Sequence, residues 1–104
     1  MRYVVDIDGT ICTNRYGNWY WLSQPYLDRI EHMNRLFDAG HEVIYFTARG
    51  MSTFKTVEAA IEKLYEFTQE QLEEWGVKYT ELIFGKPSGD VYVDDKGVNS
   101  EQFF

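Results

Sequence analysis

Short apolar runs alternate along the chain with longer stretches in which apolar and polar residues recur at helical spacing. The short runs are rich in strand-forming residues and end abruptly in polar residues, which is typical of buried strands in a parallel sheet. Four such runs predict strands at Arg2–Val5, Glu42–Thr47, Tyr79–Phe84 and Val91–Val93.

Two longer stretches repeat apolar residues at helical spacing and predict helices. The first begins at Pro25, which suits a first helical turn, and ends at Gly40. The second runs from about Val57 to Trp75, and Gly76 follows it. We predict loops over residues 11–24 and 48–56, a turn over 85–90 and a short tail over 96–104.

The order of these elements is an α/β alternation, which favours a parallel sheet with helices on its faces. We predict a minimal three-layer α/β domain of Rossmann-like type that spans residues 1–104. One loop and one helix account for residues 11–40 after the first strand and for residues 48–76 after the second, so no cap domain is expected. In such sheets the ligand binds outside the carboxyl ends of the strands.

Composition narrows the class of protein. With 104 residues, 44% of them hydrophobic, the chain can form one core and is too apolar to be disordered. The formal charge of −7 argues against a long polyanion such as duplex nucleic acid as a partner. So short a chain buries a modest fraction of its surface, which leaves homo-oligomer formation open.

The N-terminus has no signal-peptide pattern, and no apolar run approaches the roughly 20 residues that cross a bilayer. The single cysteine excludes an intrachain disulfide. We therefore expect a cytoplasmic protein with no membrane partner.

Polar side chains follow all four predicted strands, at the edge where an open α/β sheet binds its ligand. Gly9 permits a tight turn after the first strand, which can aim two carboxylates into one cavity. The polar residues that follow the four strands in turn are Asp6 and Asp8, Thr47 and Arg49, Lys86, and Asp94 and Asp95.

Four carboxylates that converge on one edge would repel each other, and a hard divalent cation removes that repulsion. Mg²⁺ prefers oxygen ligands, often carboxylates together with water and substrate phosphate. The Lys86 ammonium and the Thr47 hydroxyl can hold phosphoryl oxygens that the metal leaves free. The pattern therefore predicts phosphoryl transfer with Mg²⁺ as cofactor, and a carboxylate nucleophile is an established option for it.

These residues lie in four segments that resemble the motifs of the haloacid dehalogenase (HAD) superfamily of phosphotransferases. Asp6–Thr10 is similar to its first motif, Thr47 to its second, Lys86 to its third and Asp94–Asp95 to its fourth. The segments occur in order and span nearly the whole chain. The resemblance implies a sheet in the order four-one-two-three, numbered by appearance in the sequence, and a hydrolase of phosphate monoesters.

The resemblance also implies a role for each matching residue. Asp6 would be the nucleophile and a metal ligand, and Asp8 the general acid and then the base, with its backbone carbonyl facing the metal. Asp94 and Asp95 would complete the metal site, and Thr47 and Lys86 would hold the phosphoryl group. The candidate substrate-binding residues are Gly9, Thr10, Thr47, Ala48, Arg49 and Lys86.

Thr47–Arg49, with the Gly85–Pro87 and Tyr92–Asp95 segments, resembles a small subgroup of short HAD proteins, some of which belong near polysaccharide or sugar-phosphate pathways. The function we expect first is hydrolysis of a small phosphate monoester, such as a sugar phosphate or a nucleotide. Two other functions stay open: a phosphatase for nucleic-acid ends or phosphoproteins, and a non-catalytic module that binds phosphate or metal. Arg49 can contact the substrate or form a structural ion pair. Aromatic residues 19–21 can contact the substrate, contact a second subunit or cover the core. We expect Cys12 to be a buried or loop thiol rather than a nucleophile.

Overall fold

A computed structural model gives the structure of the chain and describes residues 1–14, 17–85, 89–94, 98–99 and 103–104. The strands are β1 (Arg2–Asp6), β2 (Glu42–Thr47), β3 (Glu81–Phe84), β4 (Val91–Asp94) and β5 (Val98–Asn99). The helices are α1 (Leu27–Asp38), α2 (Met51–Phe54) and α3 (Val57–Glu74), and Tyr20–Leu22 forms a single 3₁₀ turn.

The five strands form one sheet in which every neighbouring pair is parallel. Their order across the sheet is β3-β2-β1-β4-β5. The expected order, four-one-two-three, did not include β5, which lies at the edge beside β4. β1 lies at the centre, where Val5 pairs with Tyr45 on one side and with Val93 on the other. The carboxyl ends of β1, β2 and β4 therefore meet at one edge.

Two predictions about irregular segments were wrong. The segment 48–56, predicted as a loop, contains the short helix α2, and the predicted tail contains strand β5. Gly50 begins α2 with a φ of +79°, a left-handed conformation that glycine adopts readily. α3 follows at once because the Thr56 side chain accepts a hydrogen bond from the Ala59 amide, as an N-cap residue does.

The main core lies on one face of the sheet. Val5, Val43 and Val93 of the strands are fully buried there, together with Met33 of α1 and Leu72 of α3. Both long helices thus share one hydrophobic cluster. The burial of their apolar stripes, rather than helix propensity, supplies most of the stability of such helices.

The opposite face carries a smaller buried cluster of Val4, Ile44 and Phe46, on which Ile83 packs. Within the described ranges, neither α1 nor α3 contributes to it, so the helices form one layer and the three-layer prediction was wrong. The reason is topological: β1 to β2 and β2 to β3 are steps in the same direction, and right-handed crossovers place both helices on the same side. The link from β3 to β4, residues 85–90, is too short for a helical crossover.

In the part of the chain that the structure describes, no helix is long and apolar enough to span a membrane.

Tyr45 is fully buried in the main core, and its hydroxyl group has no hydrogen-bond partner among the residues that the structure describes. Burial raises the pKa of this phenol above its usual range because the ionised form loses its solvation. An unsatisfied buried hydroxyl opposes folding, since it loses its bonds to water and gains none.

We expect Tyr45→Phe to raise the free energy of unfolding by about 1 kcal/mol, because it removes this unsatisfied group and keeps the ring. Urea unfolding followed by circular dichroism measures the change. Tyr3→Phe is the matched control, since Tyr3 is half-buried and, within the described ranges, its hydroxyl makes one long bond, to the Met1 sulfur at 3.6 Å. A loss of stability in Tyr45→Phe would show that the hydroxyl group is satisfied in the native protein.

Candidate active site

The end of β1 brings two carboxylates to the same edge of the sheet. Ile7, between them, is fully buried in the main core, and Asp6 and Asp8 both line the cavity described below. The backbone then turns back, with the Gly9 amide donating to the Cys12 carbonyl at 2.9 Å and the Ile11 amide to the Ile7 carbonyl at 3.0 Å. Gly9 has a φ of +84°, which confirms that the turn needs left-handed backbone at this residue.

Asp8 is held by a buried arginine. The Nη2 atom of Arg49 lies 2.9 Å from Oδ1 of Asp8, and its Nε atom donates to the same carboxylate at 3.0–3.2 Å. The Arg49 side chain has no solvent exposure, whereas 17% of the Asp8 side chain is exposed. Asp8 therefore links the buried cation to the solvent-accessible side of the site.

The remaining edge of the Arg49 guanidinium is anchored to helix α3. Its Nη1 atom donates to Oε1 of Gln71 at 2.7 Å and to the Thr68 hydroxyl at 3.3 Å. The ring of Tyr20 covers the guanidinium face at 4.8 Å, in a cation–π contact. Gln71 also donates to the Tyr20 carbonyl at 2.9 Å. Arg49 thereby joins Asp8, α3 and the 3₁₀ turn.

Thr47 ends β2 and is fully buried. Its hydroxyl accepts a hydrogen bond from the Arg49 amide at 3.1 Å and lies 3.5 Å from Oδ2 of Asp8. Because the hydroxyl proton is left to point at Asp8, Thr47 supports the same carboxylate that Arg49 holds. The structure thus brings Thr47, predicted to bind the phosphoryl group, next to Asp8.

A cavity of about 320 Å³ opens beside these groups. A smaller one of about 140 Å³ adjoins the same two carboxylates and includes Gly9 and Thr10 in its wall. The lining of the larger cavity combines the two carboxylates with polar groups of the 11–24 segment; it consists of Asp6, Asp8, Asn14, Gly17, Asn18, Tyr20, Ala48 and Arg49.

Hydrogen bonds hold residues 11–14 and 17–24, the described parts of the 11–24 segment, beside the site. The Thr13 amide donates to the Gln24 carbonyl at 2.9 Å, and the Tyr26 amide donates to the Ile11 carbonyl at 2.8 Å. At the tip, the Tyr20 hydroxyl accepts a bond from the Gly50 amide at 3.1 Å. These bonds tie the segment to itself and to the loop that follows β2.

The predicted third and fourth segments are described only in part. Lys86 and Asp95 lie outside the described residues. Asp94 ends β4, one residue beyond the pair formed by Val5 and Val93, so its backbone is level with the end of β1. The backbone of Asp94 belongs to the described part of the structure, and its side chain lies outside that part.

A metal site is tested by the chemistry of the donors that the cavity offers. Asp6 and Asp8 line the same two cavities. The Asp6 carboxylate and the backbone carbonyl of Asp8 are oxygen ligands of the kind that Mg²⁺ prefers, while the Asp8 carboxylate is bound by Arg49. Among the described residues, no group of three or more His, Cys, Asp or Glu side chains forms a metal site. Two of the four predicted ligands are outside that search, and the described pair fits a hard cation.

Sequence reasoning missed Thr68, Gln71 and Tyr20, which complete the Arg49 network. A signal for two of them was present: Leu64, Thr68, Gln71 and Trp75 follow one another at helical spacing on the stripe that faces the core. A polar residue on such a stripe must have a buried partner, and Arg49 is that partner.

Trp19 and Trp21 are exposed, with 60% and 62% of their surfaces accessible, and their rings stack on each other at 5.8 Å. They flank Tyr20 in sequence, but Tyr20 lines the larger cavity, whereas Trp21 lines a separate cavity of about 150 Å³ beside α3. Their predicted contact, whether with substrate or with a second subunit, stays a prediction.

Cys12, the single cysteine, is buried beneath Asp8, with its sulfur 3.7 Å from Oδ1 of that residue. Burial, followed by the charge of Asp8, raises the pKa of the thiol from 9.0 to about 12. A thiol of that kind is a poor nucleophile at neutral pH, which agrees with the prediction of an unreactive cysteine.

Comparisons with known proteins find a similar chain among solved structures. No protein-family model matches the chain, and no curated protein matches it. Among solved structures, the crystal structure of an MCSG target protein from Vibrio cholerae superposes with a TM-score of 0.79 at 30% sequence identity. The match covers 99% of this chain and 87% of that one.

We expect the Cys12 thiol of the native protein to resist alkylation by iodoacetamide at pH 8, because it is buried and stays protonated well below a pKa of about 12. Intact mass after timed labelling measures this. The same protein in denaturant is the control and should be modified rapidly. Equal rates in the two states would contradict the placement of Cys12 under Asp8.

Proposed function

We propose that this chain, which belongs to the same family as the Vibrio cholerae protein, is a magnesium-dependent phosphatase of the haloacid dehalogenase type. It hydrolyses phosphate monoesters through a phosphoryl group carried on Asp6. One observation supports this above the others: Asp6 and Asp8, two residues apart at the end of the central strand, line one cavity. That pairing supplies a nucleophile and a proton donor to a single reacting group.

In the first step, a carboxylate oxygen of Asp6 attacks phosphorus and forms a new P–O bond. The bond from phosphorus to the ester oxygen of the substrate breaks, and that oxygen takes a proton from Asp8. The hydrogen bonds that Arg49 and Thr47 make to Asp8 hold its carboxyl group at the cavity wall for this transfer.

In the second step, water attacks the phosphorus atom and gives a proton to Asp8. The P–O bond to Asp6 breaks, which releases inorganic phosphate and restores both carboxyl groups. Each proton that Asp8 donates is therefore returned in the same cycle, and the chain ends in its starting state.

Asp6 and Asp8, together with Asp94 and Asp95 of the fourth segment, would hold Mg²⁺. When bound, the ion neutralises the carboxylates and the phosphoryl oxygens, which is the main electrostatic requirement of phosphoryl transfer. Lys86 follows β3 in the sequence and would hold the phosphoryl oxygens from that strand end.

The substrate we propose is small, a sugar phosphate or a nucleotide. A cavity of about 320 Å³ is at the lower end of the size range of small-molecule sites, roughly 300–1,000 Å³. The amide side chains of Asn14 and Asn18 line it and are suited to bind hydroxyl groups. The fold we propose is a minimal Rossmann-like domain without a cap domain. The described parts of residues 11–24 would cover the site instead. The compartment we propose is the cytoplasm.

We expect Asp6→Asn to reduce phosphate release by more than about 10³-fold, because it removes the attacking carboxylate. The assay is phosphate release in Mg²⁺ from sugar phosphates, nucleoside monophosphates and 4-nitrophenyl phosphate. Asp38→Asn is the matched control, since Asp38 forms an exposed ion pair with Lys78 far from the cavity in sequence and fold. Turnover by Asp6→Asn at the wild-type rate would contradict the assignment of Asp6 as the nucleophile.

We also expect excess EDTA to stop turnover and added Mg²⁺ to restore it, because the paired carboxylates need a cation to admit a phosphate. Activity that continues undiminished in the chelator would contradict the requirement for Mg²⁺. Phosphate binding in Mg²⁺, measured by calorimetry, with no cleavage across the panel would instead identify a binding module.

A further inference from the structure

We propose that Arg49 is a positioning residue that acts on the reaction through Asp8. This inference rests on the proposed function, because Asp8 is the group that moves the proton there. The sequence left open whether Arg49 contacts the substrate or forms an ion pair. The burial of its side chain favours the ion pair. The Arg49 side chain has no exposed surface, and its Nε and Nη2 atoms both face the Asp8 carboxylate.

The geometry of the contact restricts Asp8 to one orientation. A guanidinium is a rigid planar fork, and its two-point contact with a carboxylate sets the plane as well as the distance. Thr47 approaches the second oxygen of the same carboxylate at 3.5 Å. Asp8 is thus held from two sides while part of it stays open to the cavity.

The fork itself is held by groups that do not touch Asp8. Gln71 and Thr68 bind the Nη1 atom from helix α3, and the ring of Tyr20 covers the guanidinium face. Gln71 spans two of these parts, since its amide also donates to the Tyr20 carbonyl. The orientation of Asp8 therefore depends on the docking of α3 against the 3₁₀ turn.

A positioning role makes a specific kinetic prediction. Loss of the fork should impair proton transfer and leave substrate affinity nearly unchanged, so kcat falls while KM does not. Supporting residues of this kind typically contribute about 10–100-fold to function. The loss should also vanish when Asp8 can no longer transfer a proton, because Arg49 would then have nothing to position.

The test is a double-mutant cycle of Arg49→Met and Asp8→Asn, measured as phosphate release from the panel ester that the wild type cleaves fastest. We expect Arg49→Met to lower kcat by about 10–100-fold with KM within about 3-fold. In the Asp8→Asn background the same substitution should change kcat by less than about 3-fold. Arg35→Met is the matched control, because Arg35 forms an exposed ion pair with Glu31 and should leave both constants unchanged.

Removal of a buried cation can prevent folding, so circular dichroism and the unfolding midpoint are measured for each variant. If Arg49→Met is unfolded, Gln71→Met replaces it in the cycle, since it removes the anchor and keeps the ion pair. Equal kcat losses in the two backgrounds, or a loss confined to KM, would overturn the inference while the proposed function stands. Absence of turnover by the wild-type protein would overturn both.

Discussion

The structure around the site depends on the burial of one positive charge. A guanidinium taken out of water loses solvation worth several kcal/mol, which only good hydrogen bonds and an opposite charge can offset. Arg49 has these on every side: Asp8 on one edge, Gln71 and Thr68 on the other, and the Tyr20 ring on its face. Its burial therefore requires four separate segments of the chain to meet at one point.

The parallel sheet determines where that point lies. Because β1 and β2 are paired in parallel, with Asp6 level with Phe46, the residues that follow both strands leave the sheet at the same edge. Asp8 and Arg49 are each two residues or less past the end of a strand. Both long helices then pack on one face, so α3 can reach the carboxyl edge with Thr68 and Gln71.

Much of this arrangement could be predicted from the sequence. Short apolar runs that end in Asp6, Thr47 and Asp94 predicted the strands and their parallel sheet. They also predicted the edge of the sheet at which the candidate site residues lie. The three-layer prediction was wrong because it did not combine the expected strand order with right-handed crossovers, which place both long helices on one face of the sheet. Helix α2 was missed because it is only four residues long and starts from a glycine.

The role of Arg49 was out of reach of sequence reasoning for a further reason. A charged residue after a strand is equally suited to bind a substrate or a neighbouring carboxylate, and its burial decides between these. That burial depends on Gln71, which lies 22 residues further along the chain. The available signal was the polar residues on the core-facing stripe of α3. They indicate that a buried polar or charged partner is present, but they do not indicate which residue it is.

We propose that Asp6, the last residue of β1, carries the phosphoryl group during turnover, with Asp8 beside it. Acid quenching of the reaction, followed by digestion and mass spectrometry, tests this directly, because an acyl phosphate survives in acid. The account predicts a phosphoryl group on the peptide that contains Asp6, lost on treatment with hydroxylamine. A phosphoryl group on another residue, or none at any time during active turnover, would contradict it.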